Sequence, residues 1–132
     1  MTRFALFEAL GAPLQNQRWS WGGVKEIDKS VFLGVWQHGT KKIEGKRYVW
    51  VADVEDADES LGARERIKHI ELIIAGYTPY MVMCAAEDEE AHPRVMKDFN
   101  SAEVYVGGAL LEIDGGCWLE LGDRVPVRRT MV

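Results

Sequence analysis

Residues 60–86 read SLGARERIKHIELIIAGYTPYMVMCAA, and the change of period inside this stretch decides the fold class. Ala63, Ile67, Ile70 and Ile74 recur at helical spacing, Ser60 stands where an N-cap belongs, and Gly76 marks the stop. The spacing predicts a helix from about Gly62 to Ala75, buried through Ile67, Ile70 and Ile74. From Tyr80 to Ala86 the period changes, and YMVMCAA reads as a strand.

Working outward, Val31–Gln37 (VFLGVWQ) and Arg47–Val54 (RYVWVADV) alternate with the two-residue period of strands. The polar, glycine-punctuated segment His38–Lys46 reads as the hairpin loop between them. Downstream, Ala102–Val106, Ala109–Ile113 and Cys117–Leu121 are strands, the last two joined by an Asp114-Gly115-Gly116 turn. Val125–Val127 reads as an edge strand, because Pro126 has no N–H for a ladder. His92–Phe99 opens as a short turn or helix. Near the start, Thr2 caps a short amphipathic helix carrying Phe4, Leu6, Phe7 and Leu10, ended by Gly11 and Pro13. One long helix among many strands is an α+β pattern rather than alternating βαβ. The expected architecture is a curved mixed or antiparallel sheet, or a small PUA- or SRA-like barrel, with flanking helices. At 132 residues, the chain is expected to form one domain over 1–132 without a linker.

Composition removes several function classes. No apolar run reaches the roughly 18–20 residues of a membrane span, and Glu8 interrupts the apolar N-terminus, so neither membrane nor secretory signal is expected. The expected location is the cytoplasm, where Cys84 and Cys117 are expected as reduced, buried thiols. Neither cysteine belongs to a CxxC pair, and His38, His69 and His92 form no paired-ligand motif, so no metal is expected. Nor does any GxGxxG, GxxxxGK[ST] or GxSxG occur, so no cofactor and no catalytic motif is read. Asp53, Glu55 and Asp56 lie in a charge run that reads as solvated. Glu65 and His69, four apart, read as a surface pair.

The net charge of −5 hides an asymmetry. Residues 1–50 hold eight basic and four acidic side chains, and residues 51–132 hold eight and seventeen. A basic face on an acidic chain suits a polyanionic partner, since the local field steers association. Arg18, between Asn16-Gln17 and Trp19-Ser20-Trp21, pairs a guanidinium fork with aromatic neighbours, an arrangement suited to recognition. Lys41 and Lys42 are candidates for phosphate contact. His38 and the constrained His92-Pro93-Arg94 segment add potentially cationic side chains. Tyr77, Thr78, Pro79 and Tyr80 are candidates for the walls of a small apolar hollow.

The blocks NQRWSWGGV (16–24), VFLGVWQ (31–37), ERIKHIELI (65–73), GYTPYMVMC (76–84), HPRVMKDF (92–99) and VYVGGALLEIDGGCWLELGDRVPV (104–127) resemble the sulfur-binding domain of type IV restriction endonucleases. The resemblance runs over most of residues 14–127. It implies a module that reads phosphorothioate-modified double-stranded DNA and is usually fused to an HNH nuclease. It also implies a sulfur pocket around a Tyr-Pro pair, matched best by Tyr77, with Thr78 directly after it and Pro79 one place later. The expected pocket is then Tyr77, Thr78, Pro79, Tyr80 and Pro93. Asn16, Gln17, Arg18, His38, Lys41, Lys42 and Arg94 are the expected DNA contacts. With no HNH motif in the chain, a separate nuclease subunit is an expected partner. Two alternatives stand beside this reading. One is a PUA-like reader of modified bases or RNA, with Trp19–Trp21 as a stacking cage. The other is a small nucleotide-metabolite enzyme using His38, His92 and Glu65 as acid and base.

Overall fold

In the computed structural model, residues 1–53, 60–91 and 95–131 are described. Helix α1 (Arg3–Ala9) leads to β1 (Gly22–Lys25) and β2 (Ser30–Trp36), and a 3₁₀ turn at Gln37–Gly39 opens β3 (Thr40–Ile43) and β4 (Lys46–Asp53). After α2 (Leu61–Ile74) come β5 (Thr78–Ala86), β6 (Met96–Phe99), β7 (Glu103–Ile113), β8 (Gly116–Pro126) and the short α3 (Val127–Thr130). The fold is α+β. Its single mixed sheet runs β1-β2-β5-β7-β8-β4-β3, with β6 on the side of β5, and it does not close into a barrel.

Local chemistry explains most element limits. The Thr2 side chain accepts from Ala5 N–H at 3.1 Å and Ser60 from Ala63 N–H at 3.2 Å, so both helices begin on real caps. Gly76, at φ +115°, ends the turn after α2 in a conformation that favours glycine. β2 and β5 pair in parallel, as the long crossover through β3, β4 and α2 requires, while the remaining pairs are antiparallel.

Alternation divides the core. One cluster gathers Val31, Leu33 and Val35 of β2, Val49 and Val51 of β4, Met81 of β5 and Leu119 of β8 beneath Ile70 of α2. On the opposite face, Leu6, Phe7 and Leu10 from the α1 segment cover Phe32, Val82, Cys84 and Val104. Both cysteines are buried and free.

The sheet's curvature brings β2 beside β4 although no ladder joins them. Arg66 closes that seam. Its Nη1 donates to Val51 O at 3.0 Å, and its Nη2 donates to Gly34 O at 2.6 Å and Trp21 O at 3.2 Å. At 3% exposure the guanidinium has left water, and its three carbonyl partners make that burial tolerable.

Several expectations need correction. Helix α2 buries Gly62, Glu65, Arg66, His69 and Ile70, whereas Ile67 is 36% and Ile74 72% exposed. The helix is rolled toward its polar stripe because Arg66 must reach the seam and because Gly62 lies against the Trp21 ring. A Cβ at Gly62 would sit 2.6 Å from that ring. Glu65 and His69 are therefore buried rather than a surface pair. The stretch expected to be a loop at His38–Lys46 contains β3, turned at Glu44 and Gly45, both with positive φ. The two expected strands at 102–113 form one, β7, interrupted by register shifts at Gly107. Val125 belongs to the same strand as Cys117–Leu121, paired to Val104 well inside the sheet, and Val127 begins α3. Met96–Phe99 is a strand. The segment His92-Pro93-Arg94, and Val54–Glu59 with Glu55 and Asp56, lie outside the described residues.

Candidate nucleic-acid interface

Outward-facing positions of a pleated strand normally carry polar residues, but β4 and β8 place tryptophans there, while Trp36 of β2 packs at the edge of the cluster under α1. Trp50 and Trp118 are cross-strand partners on the side of the sheet opposite Val49 and Leu119. Gly116 gives them room, since a Cβ there would come within 3.0 Å of Trp118 Nε1 and 3.6 Å of Trp50 Cδ1. Trp50 Nε1 donates to Asp53 Oδ1 at 2.8 Å, which holds the indole. Across the seam, Gly39 sits between Trp36 and Trp50, its missing Cβ 3.9 and 3.8 Å from theirs. Trp21 shares a cleft of about 60 Å³ with Trp50, Asp53, Arg66 and Ile67. All four indoles are half-buried, and Trp50 and Trp118 stand side by side on one face.

Basic side chains lie beside these indoles. Lys41 Nζ lies 4.8 Å above the Trp118 ring, within cation–π reach. The His38 ring is 6.0 Å from Trp36, and its Nδ1 is buried without a partner among the described residues. Arg66 stands 5.8 Å over Trp21, and burial pulls it down to about 10, which leaves it charged at neutral pH.

The Asn16–Ser20 turn is built by its own polar groups. Asn16 Oδ1 accepts from Arg18 N–H at 2.8 Å, Ser20 Oγ accepts from Asn16 N–H at 2.9 Å, and Ser20 N–H closes the turn on Asn16 O at 2.9 Å. Ser20 Oγ in turn donates to Glu65 Oε2 at 3.1 Å, tying the turn to α2. Asn16 is thus occupied in holding the turn, while Gln17 and Arg18 project from it, exposed.

The expected sulfur hollow is only partly assembled. Tyr77 is half-buried, with its hydroxyl donating to Glu26 Oε2 at 2.9 Å, a bond that raises its pKa. Pro79 lies on the same side, against Gly107, where a Cβ would meet its ring at 2.7 Å. Tyr80 faces the other way and stacks on Phe32 at 4.8 Å, in the cluster under α1. Thr78 is exposed, its N–H donating to Lys29 O at 3.0 Å. Adjacent strand residues cannot wall one hollow because the pleat sends them to opposite faces. The same rule separates Lys42 from Lys41, so the two do not share a footprint. His92, Pro93 and Arg94 lie outside the described residues. Glu65 lines a different cavity from which His38 is absent, so these two of the three expected acid–base residues do not converge.

Sequence reasoning named Trp21 but passed over Trp36, Trp50, Trp118 and Arg66. The available signal was tryptophan at outward positions of strands already recognised, as in Val49-Trp50-Val51. Among the described residues no group of His, Cys, Asp and Glu is arranged to hold a metal, and no helix is long and apolar enough to cross a membrane. Comparison with protein-family models, curated proteins and solved structures returns no match.

Proposed function

We propose that the chain is a DNA-binding module that discriminates a phosphorothioate linkage from an ordinary phosphate. The observation that carries the DNA-binding part is the Trp50–Trp118 pair on an outward sheet face, with Lys41 over it. Rigid indoles give apolar walls for sugars and unstacked bases, and a lysine over an indole places a charge for phosphate. Arg18, exposed at a turn fixed by its own hydrogen bonds, has the fork geometry for a guanine edge.

The sulfur part rests on the resemblance set out above and on Tyr77 and Pro79, which share one face of the α2–β5 junction. Sulfur is larger, softer and less strongly hydrated than oxygen. An apolar wall accepts it, whereas an oxygen there would forfeit water hydrogen bonds worth roughly 1–3 kcal/mol.

Fluorescence anisotropy on matched duplexes, with one linkage modified or not, tests both parts. The wild type prefers the sulfur duplex by about tenfold or more, equivalent to about 1.4 kcal/mol. Tyr77→Ala removes that preference and leaves weak, salt-sensitive binding to both duplexes. Equal affinity for the two duplexes in every sequence context refutes the sulfur reading. Absence of salt-dependent binding to any duplex refutes the DNA reading itself.

A further inference from the structure

Helix α2 turns two buried polar side chains toward β1, and each has an atom with nothing to bond. Glu65 is 8% and His69 6% exposed. Ser20 occupies one carboxylate oxygen of Glu65, but Glu65 Oε1 and His69 Nδ1 have no partner among the described residues. Both residues line one cavity of about 190 Å³, whose other walls are Pro13, Gln15 and the Gly22–Val24 stretch of β1. Buried polar atoms are normally satisfied, so two orphans on one cavity mark a place built for a hydrogen-bonding guest. A single water needs only about 10–15 Å³ on this measure, so there is room for something several times larger.

The walls define that guest. The β1 wall is the backbone of Gly22 and Gly23 with Val24 beyond, and a Cβ at Gly22 would lie 3.4 Å from His69 Nδ1. A slot between helix α2 and the backbone of Gly22 and Gly23 suits a flat molecule. The Glu65 carboxylate repels an anion, and Arg66, next to it on the helix, offsets its pull on a cation, so the slot favours a neutral guest. Burial, reinforced by Arg66, pulls His69 down to about 4, so its ring is neutral at pH 7 and one nitrogen can accept.

We propose that this slot binds a neutral planar heterocycle of the nucleobase type, its N–H donating to Glu65 Oε1 and its neighbouring polar atom meeting His69 Nδ1. The inference goes beyond the DNA-binding reading and requires neither Lys41 nor Trp118.

The test is a titration of the full chain with cytidine, uridine, adenosine and guanosine, followed by NMR at the His69 imidazole and the Gly22 and Gly23 amides. At least one nucleoside gives saturable shifts at these positions below about 10 mM. Glu65→Gln keeps the volume and the Ser20 contact and weakens that binding about tenfold, while Arg128→Ala, at an exposed position of α3, leaves it unchanged. A parallel titration uses a duplex with the same base opposite an abasic site. Tighter binding there with the same His69 and glycine shifts identifies an extruded nucleotide as the source. Shifts with the free nucleoside alone identify a metabolite. Either result supports the slot. If Glu65→Gln fails to fold, the wild-type shift map decides by itself. No saturable shift with any nucleoside or with the duplex, or shifts confined to Trp50 and Trp118, overturns the proposal and leaves the slot holding water only.

Discussion

Replacing Arg66 by leucine removes a side chain that bridges the unpaired seam between β2 and β4. Three carbonyl oxygens lose a donor: Val51 O, Gly34 O and Trp21 O. Trp21 O still accepts from Gly34 N–H at 2.7 Å, so the loss falls on Val51 O and Gly34 O. Each buried orphan costs about 1–3 kcal/mol. Relief from burying a charge offsets part of this, but the full benefit of an apolar swap requires both partners to be replaced, and backbone carbonyls cannot be. The net loss is about 2–5 kcal/mol, against a total stability of about 5–15 kcal/mol for a domain. For a chain of this size that is a fall in Tm of roughly 8–20 °C. Thermal and urea unfolding measure it, and hydrogen exchange locates it, with amides of β2 and β4 losing protection before those of β7 and β8. Arg66→Lys recovers part of the loss, since an ammonium keeps the charge without the fork. A leucine variant as stable as the wild type would falsify the seam argument, because water reaching the carbonyls through the Trp21–Trp50 cleft must then satisfy them.

Further expectations follow from other positions. Gly23→Ala places a Cβ 2.1 Å from Ala12 O, a backbone atom that cannot move aside cheaply, so it destabilises by about 1–3 kcal/mol in chemical denaturation. Stability falls with acid between pH 6.5 and about 4 because unfolded His69 takes up its proton first, a loss of roughly 3 kcal/mol. Glu65, raised by burial, works in the opposite sense, gaining stability as it protonates, so Glu65→Gln steepens the acid loss and His69→Leu flattens it in pH-resolved melts. Lys41→Ala weakens binding to all duplexes alike and lowers the salt slope by about 0.9, measured by anisotropy at several salt concentrations. Arg18→Ala costs about 1–3 kcal/mol of affinity at a guanine-containing site and relaxes the preference there, with its melting temperature unchanged because the side chain is exposed.

Much of the fold was legible because its signals are local. Thr2 and Ser60 cap the helices they precede, since capping depends on a side chain and an N–H three residues on. Strands β2, β4 and β5 fall close to their expected places because alternation is a property of the chain itself. Strand continuity was less legible. Gly107-Gly108 looks like a break, yet the chain runs on through it as β7, because the partner strand tolerates a shift in register that no local pattern encodes. The interface was harder still. Lys41 and Lys42 are neighbours in sequence and so suggest one basic patch, but once β3 pairs with β4 the pleat separates them.

Helix α2 shows where the boundary lies. Its length, caps and isoleucine spacing follow from residues 60–76 alone, because helix formation is decided within a few turns. Which side it buries does not. The isoleucine stripe and the Gly62–Glu65–Arg66–His69 stripe overlap at Ile70, and on hydrophobicity the first should win. The second is buried because carbonyls from three separate stretches, at Trp21, Gly34 and Val51, converge where no strand ladder forms and together replace the water that a guanidinium loses. That convergence exists only after the sheet has curved, so tertiary structure alone decided that Ile67 and Ile74 face solvent and that Glu65 and His69 look into a cavity.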